Sequence, residues 1–270
     1  MYKTSELKEL LFFDIETLPK KWCELSEGLK SLWIEKYHYR FMPNEVEHKQ
    51  KKKAIERNLT NLGLLTDYDN NQLTFPSYQE IYTKYAGLYA EFSRVWCISF
   101  GALNLKNEIE VNTLQEEDEK EILEQWLKVL IHYDGLNLAG YNINDFDIPF
   151  LLIRMFKHGL TENYPRQFQL KDAKPWTTKH VDFMQDWKTT RRESVSLSII
   201  CELLEVPTPK DKFNNDQFTT LMTNGEITVK EGIEYCEKDV VALVKCMLKC
   251  SSDDCNFGGS EKPKWTPKKK

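Results

Sequence analysis

Residues 136–149 read Leu-Asn-Leu-Ala-Gly-Tyr-Asn-Ile-Asn-Asp-Phe-Asp-Ile-Pro, and they decide the fold class. Leu136 to Asn142 is a short, mostly apolar run, which predicts a strand. A helix is expected from about Asp147, with Pro149 in its first turn, where a missing N–H costs nothing. A strand that feeds a helix is the repeating unit of an α/β sheet.

The flanking sequence supplies further elements of that kind. Leu10 to Phe13 forms an apolar run ending in Asp14-Ile15-Glu16-Thr17, a buried strand with polar groups at its end. Arg94 to Leu103 and Glu108 to Leu114, joined by Asn104 to Asn107, read as a hairpin. Ile122, Trp126, Val129, Leu130 and Tyr133 then fall on one helical face after the acidic opening Glu116 to Glu121, with Gly135 as the expected stop. Val181 to Met184 predicts another short strand, Leu197 to Leu204 a helix ended by Val206-Pro207, and Val229 to Leu248 the last long helix. The order implies a mixed sheet flanked by helices, an α/β domain over residues 1–250.

Residues 19–93 are too many for a simple connection, so they are expected to form a helical insertion after the first strand. Lys49 to Arg57 carries one helical signal, and Tyr78, Tyr82, Tyr85 and Tyr89 carry another. Packing is the expected role of the tyrosines, with base stacking as the alternative. Lys49, Lys51, Lys52 and Lys53 read as a solvated face, or as contacts to phosphates. Residues 251–270 lack periodicity and end in lysines, so a flexible basic tail is expected.

Composition narrows the class. The chain has 270 residues, 41% of them hydrophobic, with 7 Trp, 12 Tyr and 14 Phe, which fits a folded protein and not a disordered one. No run suits a membrane-spanning helix and the N-terminus does not read as a secretory signal, so an intracellular, cytoplasmic protein without membrane association is expected. A net charge of −5 argues against coating nucleic acid, although local basic groups such as Arg191, Arg192, Lys210 and Lys212 could still guide a strand. The seven cysteines have no CxxC spacing and read as reduced, small apolar residues; Cys246, Cys250 and Cys255 lack the histidine that a zinc site would favour.

Three groups of residues can do chemistry. Asp14 and Glu16 lie two apart on a strand and therefore share a face. Asn142 to Asp147 forms an Asn-x-x-x-Phe-Asp pattern; with 16 Asn, 14 Phe and 15 Asp in the chain, roughly 0.05 such patterns arise by chance. Asp147 could equally cap the helix that follows. Tyr235 and Asp239, four apart on the last helix, stand on one face, although such a pair is more often ordinary.

Together these groups resemble the DEDD exonuclease superfamily in its tyrosine-bearing branch, and in particular the proofreading exonuclease domain of family B DNA polymerases and the stand-alone predicted exonucleases related to it. The motifs occur in the family's order: Asp14 to Thr17, Asn142 to Asp147, Tyr235 to Asp239. The histidine-bearing branch carries His where this chain has Glu234. The resemblance implies a ribonuclease H-like fold and a 3′–5′ exonuclease that releases nucleoside 5′-monophosphates from the 3′ end of a single strand, DNA ahead of RNA. Asp14, Glu16, Asp147 and Asp239 would hold two divalent cations, Mg²⁺ or Mn²⁺. Tyr235 would position the attacking water or the phosphate, and Thr17, Leu18, Asn142 and Phe146 would contact the terminal nucleotide.

Physical chemistry supports the metal requirement. Carboxylates about 5 Å apart repel by roughly 3 kcal/mol per ionised pair at an effective dielectric near 20, so four of them need protons or cations. Hard divalent ions suit all-oxygen sites. The alternative is a non-catalytic nucleic-acid-binding subunit that keeps the fold, but such a subunit is expected to lose carboxylates and none is lost. A plain structural α/β domain with accidental motifs is the third reading.

Overall fold

A computed structural model describes residues 2–41, 78–160, 166–168, 180–188, 194–208 and 215–251. Lys49 to Arg57, Arg191, Arg192, Lys210, Lys212 and the tail beyond residue 251 lie outside the described residues. The chain divides into two compact units, residues 1–17 with 95–270 and residues 18–94.

The first unit is built on β1 (Leu10–Pro19), β2 (Ser93–Leu103), β3 (Ile109–Gln115), β4 (Asn137–Gly140) and β5 (Val181–Asp182), in the order β3-β2-β1-β4-β5. β2 and β3 pair antiparallel from Cys97↔Gln115 to Leu103↔Ile109. β1 pairs parallel with β4 through Phe12↔Ala139, and β4 with β5 through Gly140↔Asp182. The helices are α1 (Thr4–Leu7), α2 (Glu27–Phe41), α3 (Tyr78–Tyr85), α4 (Glu119–His132), α5 (Asp147–Lys157), α6 (Phe183–Lys188), α7 (Leu197–Leu203), α8 (Asn215–Asn224) and α9 (Val229–Lys249). This is the mixed sheet with flanking helices that the sequence implies. Among the described residues, no helix is long and apolar enough to cross a membrane.

The period of two in β1 sorts its side chains between two layers. Leu10 and Phe12 join a buried cluster with Ile200 and Cys201 of α7 and Val240, Leu243, Val244 and Met247 of α9. Phe13 meets Trp126 of α4 at 5.3 Å between ring centroids, and Phe100 of β2 meets the same indole at 5.7 Å. β1 is therefore covered on both faces, which accounts for four consecutive buried residues from Leu10 to Phe13.

Several boundaries differ from the sequence reading. β1 runs on through Asp14, Glu16 and Leu18 to Pro19 instead of ending at the carboxylates. Asp118 caps α4, accepting from the Lys120 N–H at 2.9 Å, and Tyr133 closes it two residues before Gly135. β4 stops at Gly140 because Asn142 takes a left-handed conformation (φ +65°). Val181 to Met184 is half strand and half helix, since the Asp182 carboxylate accepts from the Met184 N–H at 3.1 Å and starts α6. α8 has too weak an apolar pattern to be read from sequence.

In the second unit α3 carries Tyr78, Tyr82 and Tyr85, while Tyr89 lies beyond the helix end. Tyr82 is 1% exposed and packs edge-on to Trp33 at 5.0 Å, so for this residue packing is the observed role. Its hydroxyl donates to the Phe92 carbonyl at 3.0 Å.

A buried ion cluster pins α4 and α5 together. Glu119 accepts from Arg154 Nε at 2.7 Å and Nη2 at 2.5 Å, from the Val95 N–H at 2.7 Å, and lies 2.7 Å from His158 Nε2. Burial alone would raise its pKa, but the hydrogen bonds from Arg154 and His158 prevail and hold it below the usual value. Removing Arg154, itself 1% exposed, strands a buried charge. Arg154→Met is expected to cost about 3–5 kcal/mol in urea unfolding at pH 7. The cost should shrink as pH falls below about 4, because a carboxyl with a depressed native pKa stabilises above its unfolded pKa and stops doing so once protonated. A loss that is equally large at pH 3 would assign the effect to packing.

Candidate active site

Asp14 and Glu16 continue the even-numbered face of β1, the face on which Leu10 and Phe12 meet α7 and α9. The strand's own periodicity thus directs both carboxylates toward the helix that carries Tyr235 and Asp239. Ligand-capable atoms of Asp14, Glu16 and Cys236 all lie within 4.8 Å of one another. The Cys236 thiol donates to Asp14 Oδ2 at 3.5 Å and to the Asp14 carbonyl at 3.6 Å.

Asp147 arrives from the loop between β4 and α5. It is the first helical residue, with Phe146 in the capping position, so its carboxylate is not the helix cap. Its Oδ1 instead accepts the Ile15 N–H at 3.2 Å, on the backbone between Asp14 and Glu16, and the residue is 2% exposed. The loop is tight: a Cβ on Gly140 would sit 2.1 Å from Ile143 Cγ2 and 3.0 Å from the Phe13 carbonyl, so only glycine fits there. Asn142 O accepts from the N–H of Phe146 at 3.0 Å, and the Phe146 ring packs on Phe150 at 5.6 Å.

α9 begins with a capping box, Thr228 with Glu231, which fixes where the helix starts and hence which residues face β1. Tyr235 is 4% exposed and its ring stacks on Phe218 of α8 at 5.4 Å and 18°. Phe218 in turn packs on Trp96 at 5.6 Å. Asp239 is half-buried, with Oδ1 shut off from solvent.

Electrostatics shows that these groups feel one another. Burial pushes the Asp14 carboxyl well up, and the charges of Asp147 and Asp239 add to the effect. Burial raises Asp147 to about 7, opposed in part by the hydrogen bond from Ile15. The Tyr235 phenol is raised by burial and by Asp239, Glu16 and Asp14, so it stays protonated and keeps a hydroxyl proton to donate. Asp14 is thus the common electrostatic neighbour of Asp147, Asp239 and Tyr235. Carboxylate oxygens of this kind, with Asp14 raised by burial and by the charges of Asp147 and Asp239, fit hard divalent cations.

The nucleotide-contact candidates are placed less uniformly. Thr17 is buried at the end of the first unit, Leu18 opens the second unit, and Asn142 and Phe146 are half-buried in the β4–α5 loop. Two residues escaped the sequence reading. Cys236 was grouped with inert thiols, yet it touches Asp14. Asp182 sits on a two-residue strand with no motif around it, yet it holds the loop of Asn142. Only its Asp-Phe-Met opening, a capping residue before an apolar pair, could have signalled it.

Residues 87–258, 172 of the 270, match a family model described as a predicted 3′–5′ exonuclease related to the exonuclease domain of PolB. That span contains Asp147, Tyr235 and Asp239, whereas Asp14 and Glu16 precede it. No curated protein sequence matches the chain. Among solved structures, the family B DNA polymerase from the hyperthermophilic archaeon Pyrobaculum calidifontis superposes with a TM-score of 0.47 and 13% identity, covering 88% of this chain and 24% of the polymerase. The chain thus spans about a quarter of that polymerase's length.

The raised carboxyls have a measurable consequence for stability. A carboxyl whose native pKa exceeds its unfolded value binds more protons when folded, so stability falls as pH rises through the window from 3.8 to about 7. Asp147→Asn keeps an oxygen for the Ile15 N–H and removes one charge. Its melting midpoint at pH 8 in EDTA is expected to exceed that of the unaltered protein by roughly 3–10 °C, with the gap closing near pH 4. Calorimetry across that range checks it, and a less stable variant at pH 8 would contradict the electrostatic account.

Proposed function

The chain belongs to the family of predicted 3′–5′ exonucleases related to the exonuclease domain of PolB, and from that premise we propose that it hydrolyses single-stranded nucleic acid from the 3′ end with divalent cations. The observation that supports this reading is that Asp14 lies beside Glu16 and feels the charges of Asp147 and Asp239, while the buried Tyr235 feels those of Asp239, Glu16 and Asp14. DNA is the proposed substrate, RNA its nearest variant, and nucleoside 5′-monophosphates the products.

In this proposal Asp14, Glu16, Asp147 and Asp239 would hold two Mg²⁺ or Mn²⁺ ions, Asp14 contributing to both, Glu16 and Asp239 to one and Asp147 to the other. When bound, the ions would supply Lewis acidity that eases loss of a proton from the attacking water and would stabilise charge on the leaving 3′-oxygen. The protein's own contribution is positional. Ile15 fixes the Asp147 carboxylate through its N–H, and Cys236 donates to that of Asp14. Tyr235, locked by its stack on Phe218, donates its hydroxyl proton in a hydrogen bond to the attacking water or the scissile phosphate. A phenol raised by three carboxylates cannot serve as the base at neutral pH, so orientation is its role. Thr17, Leu18, Asn142 and Phe146 are proposed to contact the terminal nucleotide, with the phenyl ring available for base packing.

A 5′-labelled oligonucleotide with Mg²⁺ or Mn²⁺ tests the reading. Stepwise shortening from the 3′ end is expected, abolished by EDTA and by Asp14→Ala. Tyr235→Phe, which removes one hydrogen bond and preserves the stack, should lower kcat about 10²-fold with KM little changed. Absence of shortening, or shortening that survives Asp14→Ala, would overturn the assignment. Matched DNA and RNA strands decide the sugar preference.

A further inference from the structure

Asp182 has no part in the chemistry above, yet it is 3% exposed and its carboxylate is surrounded by backbone donors. Its Oδ1 accepts from the N–H of Asn142 at 2.9 Å, of Met184 at 3.1 Å and of Gln185 at 3.4 Å, and its Oδ2 from the N–H of Asn144 at 3.0 Å. Two of those donors open α6; the other two belong to the loop that delivers Asp147. A neighbour reinforces the link, since Gln185 Nε2 donates to Asp145 Oδ2 at 3.0 Å.

The loop needs such a hold. Asn142 sits at φ +65°, a conformation that costs a residue with a side chain free energy unless its surroundings enforce it. The backbone there has left the ladder of β4, which ends at Gly140, so the Asn142 and Asn144 N–H groups require another acceptor. A carboxylate accepts at both oxygens, here from three N–H groups at Oδ1 and from Asn144 at Oδ2, whereas an amide accepts at only one and would turn an N–H group toward a backbone donor. Burial would ordinarily disfavour such a charge; hydrogen bonds from backbone N–H groups are what make it tolerable. This exceeds what capping α6 demands, because a cap needs only the Met184 and Gln185 contacts.

We propose that Asp182, assisted by Gln185, is a positioning residue of the nuclease site: it clamps residues 142–147 so that Asn142 and Asp147 are presented to β1 in one fixed geometry. This rests on the nuclease reading for its catalytic consequence, but its structural content, a carboxylate that fixes the loop, does not. Asp182 would touch neither substrate nor metal. Its influence reaches the reaction through the backbone of the loop, by way of Asp147 and the Ile15 N–H that Asp147 binds.

Three measurements on Asp182→Asn and Gln185→Ala, in the full chain, test the clamp. Amide hydrogen exchange of the metal-free protein should show residues 142–147 exchanging at least tenfold faster in Asp182→Asn, with the β2–β3 hairpin unchanged. Mn²⁺ binding by calorimetry should weaken at least fivefold. Exonuclease kcat, measured well below the melting midpoint, should fall at least tenfold while KM for the oligonucleotide stays within twofold. Gln185→Ala leaves the cap of α6 intact and should give a smaller effect of the same pattern, roughly threefold in kcat, and it decides the matter if Asp182→Asn does not fold. Unchanged exchange in 142–147, or acceleration spread equally over the sheet with kcat preserved, would overturn the clamp and leave Asp182 a stabilising cap. If the unaltered protein has no exonuclease activity, the nuclease reading fails alone, and the exchange and Mn²⁺ results still decide the clamp.

Discussion

Side chains two apart on a strand must face the same way, and in β1 this simple rule creates an electrostatic problem. Leu10 and Phe12 face the apolar cluster of α7 and α9, so Asp14 and Glu16, next in the same series, face that layer too. The strand cannot bury the first pair without pointing the second pair toward Tyr235, Cys236 and Asp239. Everything distinctive about the site follows: the raised Asp14 carboxyl, the protonated tyrosine and the thiol proton shared with Asp14. Metal chemistry is one way to turn this like-charge crowding to use, and the family match gives that way its direction.

The rest of the unit offsets the cost of the crowding. β1 is buried by large side chains on both faces, with Phe13 against Trp126 on one and Phe12 in the α7–α9 cluster on the other. Glu119 treats a buried carboxylate in the opposite way, surrounding it with Arg154, His158 and the Val95 N–H so that it stays ionised. The two arrangements show the difference between a buried charge matched by cations and buried carboxyls set beside other carboxyls. Glu119 has its cation built into the chain, while Asp14 and Asp147 have carboxylates as electrostatic neighbours. The first lowers a pKa and the second raises it, and each sets its own pH dependence for stability.

Much of this was legible in the sequence because it rests on local periodicity. The apolar run from Leu10 and the face containing Ile122, Trp126 and Leu130 announce their elements, and β1 and α4 form where expected. Boundaries were less legible where a tertiary hydrogen bond decides them, as at Asp182, whose carboxylate turns the expected Val181 to Met184 strand into α6 after two residues. α8 was missed because its role is to deliver one side chain, Phe218, to Tyr235, and one buried aromatic makes no periodic pattern. Among the candidate site residues, Asp14 with Glu16 and Tyr235 with Asp239 could each be paired by spacing along one element. The Asp147 to Ile15 hydrogen bond joins positions 132 apart, and no spacing rule reaches that far.

That long-range bond has a topological cause. β1, β4 and β5 run parallel, so the chain leaves each of them at the same edge of the sheet. In open α/β sheets this edge, outside the carboxyl ends of the strands, is where ligands bind, because loops from separate strands converge there. Here the register shows the convergence directly: Phe12 is level with Ala139, and Gly140 is level with Asp182. Asp14, the Asn142 loop and Asp182 must therefore arrive side by side, whatever their separation in sequence. Asp14 brings a carboxylate on a strand, the loop brings Asp147 back onto β1, and Asp182 brings the acceptor that holds the loop. Asp14 and Asp182 lie on strands of one sheet, and the loop follows directly on β4 between them. An arrangement of this kind takes its rigidity from the sheet and draws its carboxylates from β1, from β5 and from the helix start just past β4.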